Sequence, residues 1–274
     1  VRPLASRLYL LLLCSVLALG GCSQDRSNPP SDTSANSTSS SSDTVAATTS
    51  STGESRERAS APGAVRVLVL GNSIAAGYGL ADPATQSFPA RLQQRVDSLG
   101  WSVEVRNAGL SGETTAGGLR RIPWLLQQPV DILVLELGGN DGLRGVDPSA
   151  TKENLTAIVD TTLSRYPEAH VVLAGMQIPP NLGPEYTEAF RSLYPDIAAS
   201  YDAVSLVPFV LEGVGGVDSL MQDDQIHPTS AGQQLVAENV WDVLRPVLER
   251  RLQQPEAAGA QPQASGAQPQ ASGA

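Results

Sequence analysis

The chain has 274 residues, 41% of them hydrophobic and 4% aromatic, with a formal net charge of −10 at pH 7. An acidic balance of this size makes nucleic acid a poor partner and gives no electrostatic attraction to an anionic membrane. The chain contains two cysteines, Cys14 and Cys22, so it is not a disulfide scaffold.

The first residues read as an address rather than as a fold. Arg2 and Arg7 form a basic start, and residues 8–19 are an apolar run that falls short of the roughly 20 residues a membrane span needs. Leu19-Gly20-Gly21-Cys22 resembles a bacterial lipobox, in which the cysteine is lipidated and becomes the new first residue. Residues 1–21 are therefore expected to be a lipoprotein signal peptide, with Cys22 as the anchor to a membrane. Ser23 after the cysteine points to the outer membrane and a periplasm-facing domain, by resemblance to Gram-negative lipoproteins. Removing Arg2 and Arg7 moves the formal charge from −10 to −12, so acyl chains rather than charge would hold the protein at the bilayer. Residues 22–63 are rich in Ser, Thr, Asp and Ala. Such a stretch cannot bury enough surface to offset its ordering entropy, and a disordered tether is expected, reaching roughly 35 Å.

Residues 64–254 are left for one domain of about 190 residues, enough for a sizeable core. Residues 65–70 are an apolar, β-branched run that ends abruptly in Gly71-Asn72-Ser73. That is the pattern of a buried parallel strand delivering a residue to the carboxyl edge of a sheet, where ligands bind in open α/β folds. Phe88-Pro89 opens a helix with Leu92, Val96 and Leu99 expected on its buried face and Gly100 as its stop. Residues 101–106 alternate as a second strand. After a loop over 107–115, a helix passes through Leu119, Ile122, Leu125 and Leu126, with Gly117, Gly118 and Pro123 blurring its start.

Residues 131–137 form a third apolar strand, again ending in a polar turn, Gly138-Gly139-Asn140-Asp141. Leu155, Ile158, Val159, Thr162 and Leu163 make a helical stripe. A fourth strand covers 170–175, a proline-rich loop 178–184, a helix 186–200 and a fifth strand 203–207. A long loop then reaches Asp224-Gln225-Ile226-His227. The last helix covers 230–250 and presents Val236, Val240, Leu244 and Val247 on one face, with Pro246 expected to kink or shorten it. Residues 255–274 repeat Gln, Pro, Ala and Ser without apolar periodicity, and a disordered tail is expected. Strands alternating with helices argue for a three-layer α/β/α fold around a parallel sheet of about five strands.

Four polar clusters fall after strands or in loops: Asn72-Ser73, Ser111-Gly112-Glu113, Gly139-Asn140-Asp141 and Asp224 to His227. Singly, each has an ordinary structural reading as a cap, a turn or a solvated loop. Together they supply what a serine nucleophile needs, since a hydroxyl alone is weak and requires a base, an orienting group and oxyanion donors. The chain has two histidines. His170 opens a strand beside Glu168 and reads as structural. His227 follows Asp224 by three residues, a spacing that in a tight turn brings a carboxylate to the imidazole Nδ1–H and leaves Nε2 for the serine.

Gly71-Asn72-Ser73 with Gly77-Tyr78-Gly79, then Gly112, then Gly138-Gly139-Asn140-Asp141, then Asp224 and His227 resemble, in order and spacing, the four blocks of the SGNH or GDSL hydrolases. Within that superfamily the stretches 107–115, 135–145 and 221–232 are similar to the arylesterase, acyl-CoA thioesterase I and lysophospholipase L1 group. The resemblance covers about residues 65–249 and implies a flavodoxin-like sheet. It also implies a catalytic triad of Ser73, Asp224 and His227, and an oxyanion hole built from Ser73 N–H, Gly112 N–H and the Asn140 side chain. The expected activity is hydrolysis of acyl esters or thioesters through an acyl-enzyme, requiring no metal and no cofactor, with residues 178–184 expected to receive the acyl chain. A carbohydrate O-acetylesterase on the same fold, or a tethered binding protein without turnover, are the rival readings.

One position departs from the family, which has Asp where this chain has Asn72. The exchange removes a negative charge beside the serine and adds an amide donor. Asn72→Asp is expected to change kcat less than tenfold, about 1.4 kcal/mol. A hundredfold rise, measured by ester hydrolysis, would contradict this.

Overall fold

A computed structural model describes residues 63–253. The expected signal peptide, the tail and all of the tether except Gly63 lie outside the described residues. Among the described residues there are five strands, β1 (Val65–Gly71), β2 (Val103–Asn107), β3 (Ile132–Glu136), β4 (His170–Ala174) and β5 (Val204–Val207). They form one sheet in the order β2-β1-β3-β4-β5, and every pairing is parallel. β3 is buried along its whole length and β1 nearly so, as expected of strands covered on both faces.

Eight α-helices connect or flank the described strands: α1 (Ser73–Ala76), α2 (Pro83–Gln86), α3 (Phe88–Ser98), α4 (Thr115–Leu125), α5 (Gly139–Leu143), α6 (Pro148–Arg165), α7 (Pro184–Ala198) and α8 (Ser230–Leu252). Right-handed crossovers decide the layers. The chain leaves β1 toward β2, then reverses and steps through β3, β4 and β5. Thus α3 packs against α8, while α4 packs against α6 and α6 against α7. This is the three-layer α/β/α arrangement with the flavodoxin-like strand order, whose reversal lies between β1 and β3.

Two helical expectations need correction. Leu99 is exposed rather than buried, because it is the C-cap residue beyond the last full turn of α3. Pro246 does not shorten α8, which continues to Leu252. Pro246 and Asp242 four residues earlier both face solvent, so the carbonyl that a proline leaves unpaired can bond water. Pro123 sits inside α4 on an exposed position in the same way.

The amino edge of the sheet is fastened by Asp131, which is almost fully buried. Its carboxylate accepts from the backbone N–H of Arg66 at 2.8 Å and pairs with the guanidinium groups of Arg66 at 3.0 Å and Arg251 at 3.2 Å. His170 lies at this edge too, at the start of β4, with Nε2 2.8 Å from Ser205 Oγ. Its imidazole pKa is lowered by burial and by the charge of Arg250. This is the structural role expected for it.

Candidate active site

The carboxyl edge gathers the four polar clusters. Asn72 is the N-cap of α1, and its Oδ1 accepts from Ile74 N–H at 2.8 Å. Ser73 is therefore the first helical residue rather than the cap, and its hydroxyl is left for another partner. Residues 222–227 supply one. Met221 and Pro228 form an isolated antiparallel bridge that closes this loop, and Gln222 N–H donates to His227 O at 2.7 Å across it. Within it Asp224 Oδ1 accepts from the backbone N–H groups of Ile226 at 2.9 Å and His227 at 3.0 Å. Gln225 takes up a φ of +55°, an uncommon backbone state for a residue other than glycine.

The turn delivers the spacing that the sequence suggested. Asp224 Oδ2 lies 2.6 Å from His227 Nδ1, and His227 Nε2 lies 2.8 Å from Ser73 Oγ. Burial alone would push the Asp224 carboxyl up, but hydrogen bonds from the His227 ring and from the N–H groups of His227 and Ile226, with the imidazole charge, outweigh it and hold the pKa at about 2. Asp224 is thus a carboxylate throughout the neutral range. On the open side the Tyr78 ring lies 4.6 Å from the His227 ring.

Asn140 lies in α5, immediately after β3. Its Nδ2 donates to Glu113 O at 3.0 Å, which ties it to the loop after β2. Gly112 is in that loop with a φ of +80°, a conformation that suits glycine, and its carbonyl accepts from Arg144 Nη2 at 3.1 Å. Glu113 is buried and pairs with Arg121. Asp141 holds the same two segments together from below, accepting from the Thr115 hydroxyl at 2.6 Å and Thr115 N–H at 2.9 Å. Ser73, His227 and Asn140 line a cavity of about 400 Å³; Asp224 and Gly112 do not.

The cavity wall differs from the expected loop 178–184. Only Ile178 and Pro179 of that loop line it, and the other apolar contributors include Leu143, Met176, Phe209, Leu211 and Ile226. The reason is local: residues 180–182 turn into a short 3₁₀ helix leading to α7, while the long loop after β5 folds back over the sheet edge.

With this geometry the chain can be set beside known proteins. The GDSL-like lipase/acylhydrolase family matches residues 69–235. The chain belongs to that family. It is similar to esterase TesA of Pseudomonas aeruginosa, 47% identical over 66% of this chain and 89% of the relative. It is also similar to an arylesterase of Vibrio mimicus, 38% identical over 66% of this chain and 89% of the relative. Thioesterase 1/protease 1/lysophospholipase L1 of Escherichia coli is 39% identical, over 66% of this chain and 84% of the relative. Among solved structures, TesA has a TM-score of 0.62 at 46% identity, covering 66% of this chain and 99% of that one. The psychrotrophic esterase EstA of Pseudoalteromonas, inhibited by monoethylphosphonate, has a TM-score of 0.62 at 33% identity, covering 67% and 98%. Like other GDSL-like hydrolases, this chain is an ester hydrolase with the SGNH fold.

Several residues that build this GDSL-like site belong to none of the four polar clusters. Gln233 is buried on α8, accepts from Phe88 N–H at 2.8 Å and donates to Ile74 O at 3.0 Å. It thereby joins the helix after His227 to the helix that carries Ser73. Gln222 donates to Tyr78 O at 2.8 Å and draws the two loops together from the open side. Glu136, at the end of β3, is fully buried. The available signal was an acidic residue inside an otherwise apolar run.

Burial pushes the Glu136 carboxyl up, and N–H groups of Asn72 and Ala75 with the Asn72 side chain pull it down; it settles at about 8. Its folded pKa thus lies above the ordinary value of about 4.3. The stabilisation tied to its neutral form is whole below that ordinary value and is lost as pH rises through 8. In urea unfolding at pH 5, 7 and 9, wild type is expected to lose stability relative to Glu136→Gln as pH rises. Parallel pH profiles for the two proteins would contradict this.

Proposed function

We propose that the chain hydrolyses acyl esters and thioesters with Ser73 as nucleophile and His227 as general base, and with Asp224 holding the imidazole in the tautomer that leaves Nε2 free to accept. The observation that carries the proposal is the unbroken chain Ser73 Oγ to His227 Nε2 at 2.8 Å and His227 Nδ1 to Asp224 Oδ2 at 2.6 Å. Ser73 Oγ attacks the acyl carbon and its proton passes to Nε2. The tetrahedral oxyanion is received by the N–H groups of Ser73 and Gly112 and by the Asn140 amide. The C–O or C–S bond then breaks, and the imidazolium returns its proton to the leaving alcohol or thiol. Water repeats the sequence on the acyl-enzyme and releases the acid.

The apolar lining from Ile178, Met176, Phe209 and Leu211 favours an acyl chain over a sugar-bound acetyl group. The relatives named esterase, arylesterase and thioesterase 1/protease 1/lysophospholipase L1 support the same substrate class. Attachment to a membrane through acylated Cys22, with the domain facing the periplasm at the outer membrane, is part of the proposal and rests on Leu19-Gly20-Gly21-Cys22. Cys22→Ala is expected to abolish incorporation of labelled palmitate, and retained label would refute the anchor.

The chemistry is tested with p-nitrophenyl esters of increasing chain length. Ser73→Ala is expected to abolish turnover, and Asn140→Ala to lower kcat by about 10²–10³, the size of one oxyanion donor. Turnover surviving in Ser73→Ala would overturn the assignment. A sharp preference for acetyl would move the substrate to the carbohydrate-esterase class.

A further inference from the structure

Glu136 is fully buried and takes no part in the proton transfers described above. Its surroundings are specific. Oε2 accepts from Asn72 N–H at 3.1 Å, and Oε1 accepts from Asn72 Nδ2 at 2.8 Å. A further backbone hydrogen bond comes from Ala75. These donors stand on both sides of Ser73 in the chain. Gly71, opposite Glu136 in the β1–β3 register, leaves the room: a Cβ there would sit 2.7 Å from Glu136 Oε2 and 2.5 Å from Ala75 Cβ. The Asn72 side chain is used at both ends, its oxygen capping α1 through Ile74 N–H and its nitrogen reaching Glu136.

We propose that the Glu136 carboxyl group is a positioning residue for the nucleophile, clamping the turn around Ser73 from beneath, and that Asn72 is the amide matched to it. The proposal rests on Ser73 being the nucleophile. The matching follows from donor and acceptor chemistry. Oε2, which faces the Asn72 N–H, must accept, and Oε1, which faces the Asn72 side chain, must complement it. In Glu136→Gln the amide oxygen can keep the bond from Asn72 N–H, and the new NH₂ then meets the NH₂ of Asn72. Two donors face each other in a buried site, and the turn must shift to relieve them. Adding Asn72→Asp restores the match, because the Asp oxygen that replaces Nδ2 accepts from the Gln amide while the other still caps α1. In Asn72→Asp alone, the carboxyl pair can share one proton, and Glu136, with its raised pKa, is the group that holds it. This accounts for the modest effect expected of that exchange.

The test measures kcat, KM and thermal midpoint at pH 9, where Glu136 is ionised, on a p-nitrophenyl ester. The proteins are wild type, Glu136→Gln, the double variant Glu136→Gln/Asn72→Asp, and Ser73→Ala. Glu136→Gln is expected to lose at least twentyfold in kcat with KM within threefold, because Ser73 is displaced while the acyl cavity is not. The double variant is expected within fivefold of wild-type kcat. Wild-type kcat in Glu136→Gln, or a double variant as slow as Glu136→Gln, overturns the proposal. If Glu136→Gln fails to fold, the double variant decides alone: a folded, active protein sustains the match, and an inactive one, folded or not, refutes it. Absence of turnover in wild type, or full turnover in Ser73→Ala, strikes at the esterase reading instead.

Discussion

The pairing of β1 with β3 is the constraint on which the rest depends. Parallel register sets Gly71 opposite Glu136, so the two strands end side by side and their following turns emerge together. One turn carries Asn72 and Ser73, and the other carries Gly139 and Asn140. This is the reversal point of the sheet, where the crossovers on either side diverge and leave a crevice that no helix fills. A slip of one residue in this pairing would turn every side chain of the strand to the other face. It would also take Glu136 from beneath the turn that it supports.

The second half of the site is brought from 154 residues away, and it is fastened by polar contacts rather than by the sheet. The 222–227 loop is shaped internally by the Asp224 side chain and closed by the Met221–Pro228 bridge. Gln233 and Gln222 then dock it against the segment that carries Ser73. Each contact is modest in net energy, about 1 kcal/mol. Buried polar groups that would be costly to leave unpaired still fix the docking more narrowly than apolar packing would. The same carboxylate that shapes the Asp224 turn also faces the imidazole. Backbone geometry and proton placement are therefore set by one group.

Much of this architecture could be read from residue order. Val65–Gly71 and Ile132–Glu136 announce themselves because strands buried on both faces are almost wholly apolar, with Arg66 and Glu136 as the exceptions. Leu155, Ile158 and Val159 do so because one face of α6 meets the core. The Asp224–His227 pair was legible because their contact is local and spacing alone predicts it. What was not legible is what depends on distant partners. Nothing near Gln233 says that it will meet Ile74, and nothing around Leu143 or Phe209 says that both will line one cavity. Prolines misled for a related reason. Whether Pro246 breaks α8 depends on whether the freed carbonyl meets water, and that is a property of the packed surface. Glu136 lies between these cases: its oddity is visible in an apolar strand, but its partner Asn72 is visible only once the register is known.

Asp131 holds Arg66 at the start of β1 and Arg251 at the end of α8, so the first strand and the last helix of the domain meet at one carboxylate. That carboxylate lies at the amino edge of the sheet, and the cavity with Ser73 opens at the carboxyl edge. β1 therefore starts, and α8 ends, at the pole opposite the cavity. The domain thus has two poles with different tasks: a charged clasp that closes the chain on itself at one, and the cavity at the other.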